Sequence, residues 1–190
     1  MNRLKQQGFT LAETLVVIFV IGFIVVALLT LYSLHSNVYS YQQALIQASS
    51  TARDSMADIG NLTTQSSYVM NNQVFDGVTY NTGTTTLILQ LPALDNSGNA
   101  LGNTWDYAVF YLNGSSLYEK VAPDPVSTRP ARYRQLSDSV SNLAFIFNIS
   151  NNNYVNASSV TVDLLNRKVI KGQNIDVHLN QQWFLRNYPL

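Results

Sequence analysis

Few side chains in this sequence are equipped for bond-making chemistry. There are two histidines, His35 and His178, and no cysteine. That rules out thiol nucleophiles, disulfides and cysteine-based metal sites. A Ser-His-Asp site needs a presented serine, and the G-x-S-x-G elbow that supplies one is absent. No catalytic residue is assigned. Asp95-Asn96-Ser97-Gly98-Asn99 has part of an oxygen-ligand calcium loop but lacks the D-x-D-x-D-G spacing and a closing glutamate. It reads as turn chemistry, so neither a metal nor a cofactor is expected. Arg129, Arg132 and Arg134 lie beside Pro125 and Pro130. Three charges diluted by Asp124 and Asp138 are too few for strong phosphate binding, and the cluster reads as a solvated loop. The chain as a whole balances 11 basic against 11 acidic residues, so no net field draws it to nucleic acid or anionic lipid.

The residue whose placement demands a reason is Glu13. Leu15 to Leu29 reads LVVIFVIGFIVVALL without a charge, and from Phe9 to Tyr32 Glu13 is the sole charged side chain. At 1.5 Å per residue these roughly 24 residues reach about 36 Å, enough to cross a hydrocarbon core of about 30 Å. Arg3 and Lys5 precede the run, and no basic residue follows until Arg53. The positive-inside bias therefore places residues 1–8 in the cytoplasm and the chain beyond residue 33 outside. A carboxylate near the centre of such a helix costs about 2.5–3.5 kcal/mol, and less near the interface. A plain anchor gains nothing from it. An ordinary signal peptide would be cut after the apolar run at an A-x-A-like site, and TLYSLHSNVY offers no such site. A secreted or membrane-anchored binding protein, with the run as mere signal or tether, is the alternative reading.

Gln7-Gly8-Phe9-Thr10-Leu11-Ala12-Glu13, preceded by a basic leader, resembles the type IV prepilin cleavage and methylation motif. The resemblance implies that a prepilin peptidase cuts between Gly8 and Phe9 and methylates the amino terminus of Phe9. Arg3 and Lys5 are then the leader charges, and Glu13 is the fifth residue of the mature chain. Gly8 has no side chain to obstruct a close approach to the bond. In a bundle of such helices Glu13 could pair with the freed amine of a neighbour. A missing partner for a buried charge costs about 3–5 kcal/mol, so this pair would set axial register for filament assembly. Many major pilins of the family carry a proline in the second half of the apolar segment. Here Thr30 stands at that place, and Gly22 is the only helix-weakening residue within it.

Those residues need a rod to carry them. Leu31, Leu34, Val38, Tyr41, Leu45, Ala48, Ala52, Met56 and Ile59 recur at spacings of three and four. This is a helical stripe suited to packing on a sheet, with Gly60 as the expected stop. The organisation expected is a leader over 1–8, a transmembrane and filament-core helix over 9–32, its amphipathic continuation over 33–60, and a β-rich extracytoplasmic domain over 61–190. In that domain Thr85–Leu91 reads as a strand ending at Pro92. Tyr107–Leu112 and Leu117–Val121 form a hairpin about Asn113-Gly114. Leu143–Phe147 is a further strand, and Val160–Leu165 and Ile175–Leu179 pair across 166–174. Trp183–Tyr188 closes the series as an edge. Five to seven strands against one long helix give an α+β fold.

This layout is similar to the pilin fold. The stretch Leu136 to Phe147, followed by VTVDL and IDVHL, resembles the end of J-type minor pseudopilins and related minor pilins. The resemblance implies a non-enzymatic subunit of a type IV pilus, type II secretion or competence-type filament. Its expected partners are other pilin or pseudopilin subunits, the prepilin peptidase, an inner-membrane platform protein and an assembly ATPase. It would reside in the cytoplasmic membrane and then in a surface or periplasmic filament.

Overall fold

The computed structural model describes residues 10–149 and 153–186. The chain divides into two compact units, one ending at Gln43 and one beginning at Ala44. A single helix, α1 (Leu11–Gln65), contributes to both. In the first unit its apolar side chains are exposed from Leu11 to Tyr41. It is long and apolar enough to cross a membrane. A helix apolar on every side has no face to present to water, which suits lipid or other helices better than a soluble core. Neither Gly22 nor Thr30 interrupts it, and Thr30 Oγ1 donates to Val26 O at 2.9 Å.

From Ala44 onward the helix is one-sided. Ala44, Ala48, Ala52, Met56 and Ile59 are buried, so the stripe is core from Ala48 on, while its earlier members Leu31 to Tyr41 remain exposed. Small residues on the buried face let the helix approach its sheets closely. Ten strands among the described residues, more than the five to seven expected, form three antiparallel sheets. The first joins β1 (Tyr68–Val69), β4 (Thr86–Leu94), β5 (Ala100–Asn113), β6 (Ser116–Ala122) and β7 (Arg132–Ser137) in that order. The second joins β8 (Val140–Phe147), β9 (Ser159–Ile170) and β10 (Gln173–Phe184), with β9 central. The third is a hairpin of β2 (Asn72–Phe75) and β3 (Val78–Asn81). Met56, Ile59, Leu89, Phe110, Phe145, Val162 and Leu164 meet in one core between the helix and the two larger sheets. The hairpin seats Phe75 on Ile88 and Val109 in a second, smaller cluster on the opposite face. There Tyr80, Tyr111, Tyr118 and Tyr133 follow one another with centroids 5.0 to 5.9 Å apart, the first pair tilted and the other two stacked.

Four boundaries depart from expectation for local physical reasons. Pro92 does not end β4. The carbonyls of Ile88 and Gln90 accept from Met70 and Ser67 on the β1 side, and β1 reaches no further than Gln90. Proline's missing N–H falls where the ladder has stopped, and β4 runs on to Leu94 with a register shift. The β9–β10 turn shortens to Lys171-Gly172, both at positive φ, so the strands lengthen to Ile170 and from Gln173. Trp183 and Phe184 continue β10 instead of forming a separate strand, and 187–190 lie outside the described residues.

Gly60 does not end α1, which continues to Gln65. Its role is spatial. A Cβ there would lie 2.5 Å from the Trp183 indole, so the glycine is where the helix admits the ring of β10. Gly60→Ala is accordingly expected to destabilise the protein by about 1–3 kcal/mol, read as a lower denaturation midpoint, with Trp183→Leu recovering part of the loss in the double variant.

Candidate functional site

Gly8 and Phe9, the expected cleavage and methylation positions, and the leader charges Arg3 and Lys5 lie outside the described residues. Glu13 lies inside them, in the first turn of α1. Its Oε2 accepts from the Thr10 backbone N–H at 2.8 Å and from Thr10 Oγ1 at 3.0 Å, while its own N–H donates to Thr10 Oγ1 at 3.3 Å. This is a reciprocal capping box, which satisfies helix-terminal donors that would otherwise face an apolar medium. The sequence reading missed Thr10 in this role. The signal was there: T-x-x-E directly before an apolar run. The carboxylate thus has one oxygen occupied within its own chain, and Oε1 has no hydrogen bond among the described residues.

The other candidates are absorbed by the fold. Asp95 Oδ1 accepts from the N–H groups of Ser97 and Asn99, both at 2.8 Å, with Gly98 at φ +80°. This is the turn the sequence implied. Among the described residues no group of three or more His, Asp or Glu side chains gathers as metal ligands. His35 is exposed on α1. His178 Nε2 lies 2.8 Å from Asp163 Oδ1, and Asn180 donates to the other carboxylate oxygen at 3.2 Å. The His178 hydrogen bond holds the Asp163 carboxyl below its ordinary range. Two residues back along β10 from His178, Asp176 is gripped by Arg167 of β9 through two bonds of 2.7 and 2.8 Å, which lower that carboxyl likewise.

Arg129, Arg132 and Arg134 do not form a solvated loop. Arg129 Nε reaches Asp106 Oδ2 at 2.8 Å, and Asp106 is fully buried. Its other nitrogens donate to Gln65 Oε1 and Pro92 O, both at 3.2 Å. Arg132 and Arg134, on the edge strand β7, both pair with Glu119, which is fully buried, and Arg134 also reaches Asp58 of α1 at 2.7 Å. Burial opposes the charge of Arg134, and the two carboxylates more than offset that, so its pKa is raised. The acids were the missed half of this arrangement. Leu117, Glu119 and Val121 alternate on one face of a strand, which marks Glu119 as inward-facing. An inward acid requires a partner, and the three arginines are near in sequence.

No curated protein matches the chain. Residues 3–29 match the family model of the prokaryotic N-terminal methylation motif. The match supports a type IV pilin-like protein. It spans the leader from Arg3, Gly8, Phe9, the capping pair and the apolar run to Leu29. It implies assembly with other pilin subunits and processing by a prepilin peptidase, and with the apolar helix it points to membrane anchoring.

Two outcomes are expected for the globular part. Arg129→Ala, which leaves the buried Asp106 with its bonds from Asp124 N–H and Ser127 Oγ but without its cation, costs about 3 kcal/mol in equilibrium unfolding, whereas Arg53→Ala on the exposed helix surface stays within about 0.5 kcal/mol. Asp163 and Asp176 have folded pKa values below the ordinary 3.8. Their contribution is present above that value and lost as pH falls through the folded values. Melting temperatures of the native protein and of Asp176→Asn should therefore differ at neutral pH and converge in acid.

Proposed function

We propose that the protein is a minor pilin or pseudopilin, a non-catalytic subunit of a type IV pilus, type II secretion or competence-type filament. The observation that carries this reading is the methylation motif over residues 3–29, joined to a helix whose one early charge is Glu13. The leader with Arg3 and Lys5 is removed between Gly8 and Phe9, and the Phe9 amine is methylated. Residues 9–32 hold the chain in the cytoplasmic membrane with the part beyond 33 outside, and afterwards form the filament interior. Extraction from the membrane and assembly are the work of a platform protein and an ATPase, not of this chain. The finer assignment to the J-type minor pseudopilins draws support from Leu136 to Phe147 and the two alternating stretches after it, which form the end of β7 and the sheet β8-β9-β10.

The capping geometry bears on how Glu13 acts. Thr10 holds Oε2 along the helix axis, which fixes the carboxylate at the helix start and leaves Oε1 to a neighbour's amine. A carboxylate already neutralised in part by its own N-terminal donors is cheaper to carry in lipid before assembly. The neighbour's amine then completes the pairing and selects the axial position.

Intact mass of the membrane-extracted protein tests this directly. The expected mass lacks residues 1–8 and gains one methyl group. A chain beginning at Met1, or beginning beyond the apolar run, contradicts it, the latter in favour of a secreted binding protein. Glu13→Ala should still be cleaved but enter filaments at a level reduced about tenfold or more, measured by immunoblot of sheared filaments. Normal entry would remove Glu13 from assembly.

A further inference from the structure

An asparagine followed by glycine holds an electrophile and a nucleophile in one dipeptide. The side-chain amide carbon and the backbone nitrogen of the next residue can close a five-membered ring, an intramolecular reaction with little entropy to lose. Ordinarily a side chain on the following residue obstructs the approach, or a hydrogen bond occupies the nitrogen, or neighbours hold the asparagine amide. Asn113 is the one asparagine in the sequence that a glycine follows.

The fold leaves each of these restraints off. Asn113 is the last residue of β5 and pairs with Ser116 of β6, so the two-residue turn is Gly114-Ser115. Asn113, Gly114 and Ser115 are all exposed, and the space where a Cβ of Gly114 would stand is open. Among the described residues neither the Gly114 N–H nor the Asn113 side chain has a hydrogen bond. Other asparagines that precede small residues differ. The N–H of Ser97, after Asn96, donates to Asp95 Oδ1 at 2.8 Å. Those of Thr82, after Asn81, and Ala157, after Asn156, donate to Asn71 O and Tyr154 O, both at 2.9 Å.

From this contrast we infer that Asn113 is a self-modifying site, which converts to aspartate and isoaspartate with water as its only co-reactant. The Gly114 nitrogen, on losing its proton to solvent base, attacks Asn113 Cγ. The N–Cγ bond forms, the Cγ–Nδ2 bond breaks, and Nδ2 takes up a proton and leaves as ammonia. Water then opens the cyclic imide. Opening at Cγ leaves an aspartate. Opening at the main-chain carbonyl leaves an isoaspartate, whose backbone runs through Cγ and is one methylene longer. Either product carries a new negative charge, and nothing is oxidised or reduced.

The position gives the conversion a consequence. Ser115 O accepts from the Val140 N–H at 2.9 Å, and Ser115 Oγ donates to Asp138 O at 3.3 Å. The turn is therefore where the β5–β6 hairpin of the first sheet is fastened to the start of β8 in the second. An added methylene and charge two residues before Ser115 loosen that joint. Since the reaction is timed by pH and exposure to water, the joint weakens as the protein ages. This chemistry is independent of the filament reading.

The test keeps the full-length chain in detergent micelles, warm and mildly alkaline, beside samples held mildly acidic or unfolded in urea. Peptide mass spectrometry follows each asparagine, since conversion adds about one dalton, and a protein-isoaspartate methyltransferase marks the longer product. In the folded chain residue 113 is expected to convert at least about tenfold faster than any other asparagine, and faster in alkali than in acid. Asn113→Gln, which would need a six-membered ring, should remove the isoaspartate signal. In the converted fraction the Val140 amide should exchange its hydrogen about tenfold faster. Residue 113 intact while the urea sample converts, another folded-chain asparagine keeping pace with it, a rate that does not rise with pH, isoaspartate persisting in Asn113→Gln, or unchanged exchange at Val140 would each overturn the proposal.

Discussion

The constraint on which the proposed reading turns is one carboxylate in an apolar rod. Everything from Leu15 to Leu29 is uncharged and exposed in the single chain, so this part of α1 is stable only in a medium that is not water. Glu13 is the exception, and the structure gives it a local partner: the Thr10 N–H and hydroxyl both donate to its Oε2. The capping box satisfies the backbone and localises the charge at once. A charge so placed is inexpensive while it stays near the interface and expensive if it goes deeper alone. On the filament reading proposed above, assembly in which the helices move out of lipid and into one another would be coupled to finding a cation.

The globular part follows the same rule in protein surroundings. Asp106 and Glu119 are fully buried, and each is matched by arginines held on neighbouring segments. Asp58 of α1 enters the second group through Arg134, so the edge strand β7 is tied to the helix by charge as well as by the core. Such groups contribute little net stability but penalise any other register, since a stranded buried charge is costly.

The long helix, the β5–β6 hairpin (though its turn is Gly114-Ser115, one residue past the expected Asn113-Gly114) and the paired strands near the C-terminus were legible because each rests on local pattern: spacings of three and four, a glycine at a tight turn, alternation. The features that were not legible depend on contacts distant in sequence. Gly60 reads as a helix stop until Trp183, from a strand over a hundred residues later, is found against it. Pro92 reads as a strand end until the neighbouring strand proves shorter than β4. Three arginines near two prolines read as loop, because which acids they meet, Asp106, Glu119 and Asp58, is decided only when separate elements come together. Thr10 is a different kind of miss: its signal was local, and the interest of Glu13 as a long-range partner obscured its bond three residues away.

The central claim, that Glu13 is neutralised by the amine of an adjacent subunit, is tested most directly in the assembled state. Filaments grown from a mixture of subunits, some labelled with ¹³C at the Glu13 carboxyl and others with ¹⁵N at the Phe9 amine, would be measured by solid-state NMR distance spectroscopy. An intermolecular ¹³C–¹⁵N separation within about 4–5 Å is the predicted result. A Glu13 carboxyl coupled only to the Thr10 amide of its own chain, with no neighbouring amine in range, would contradict it.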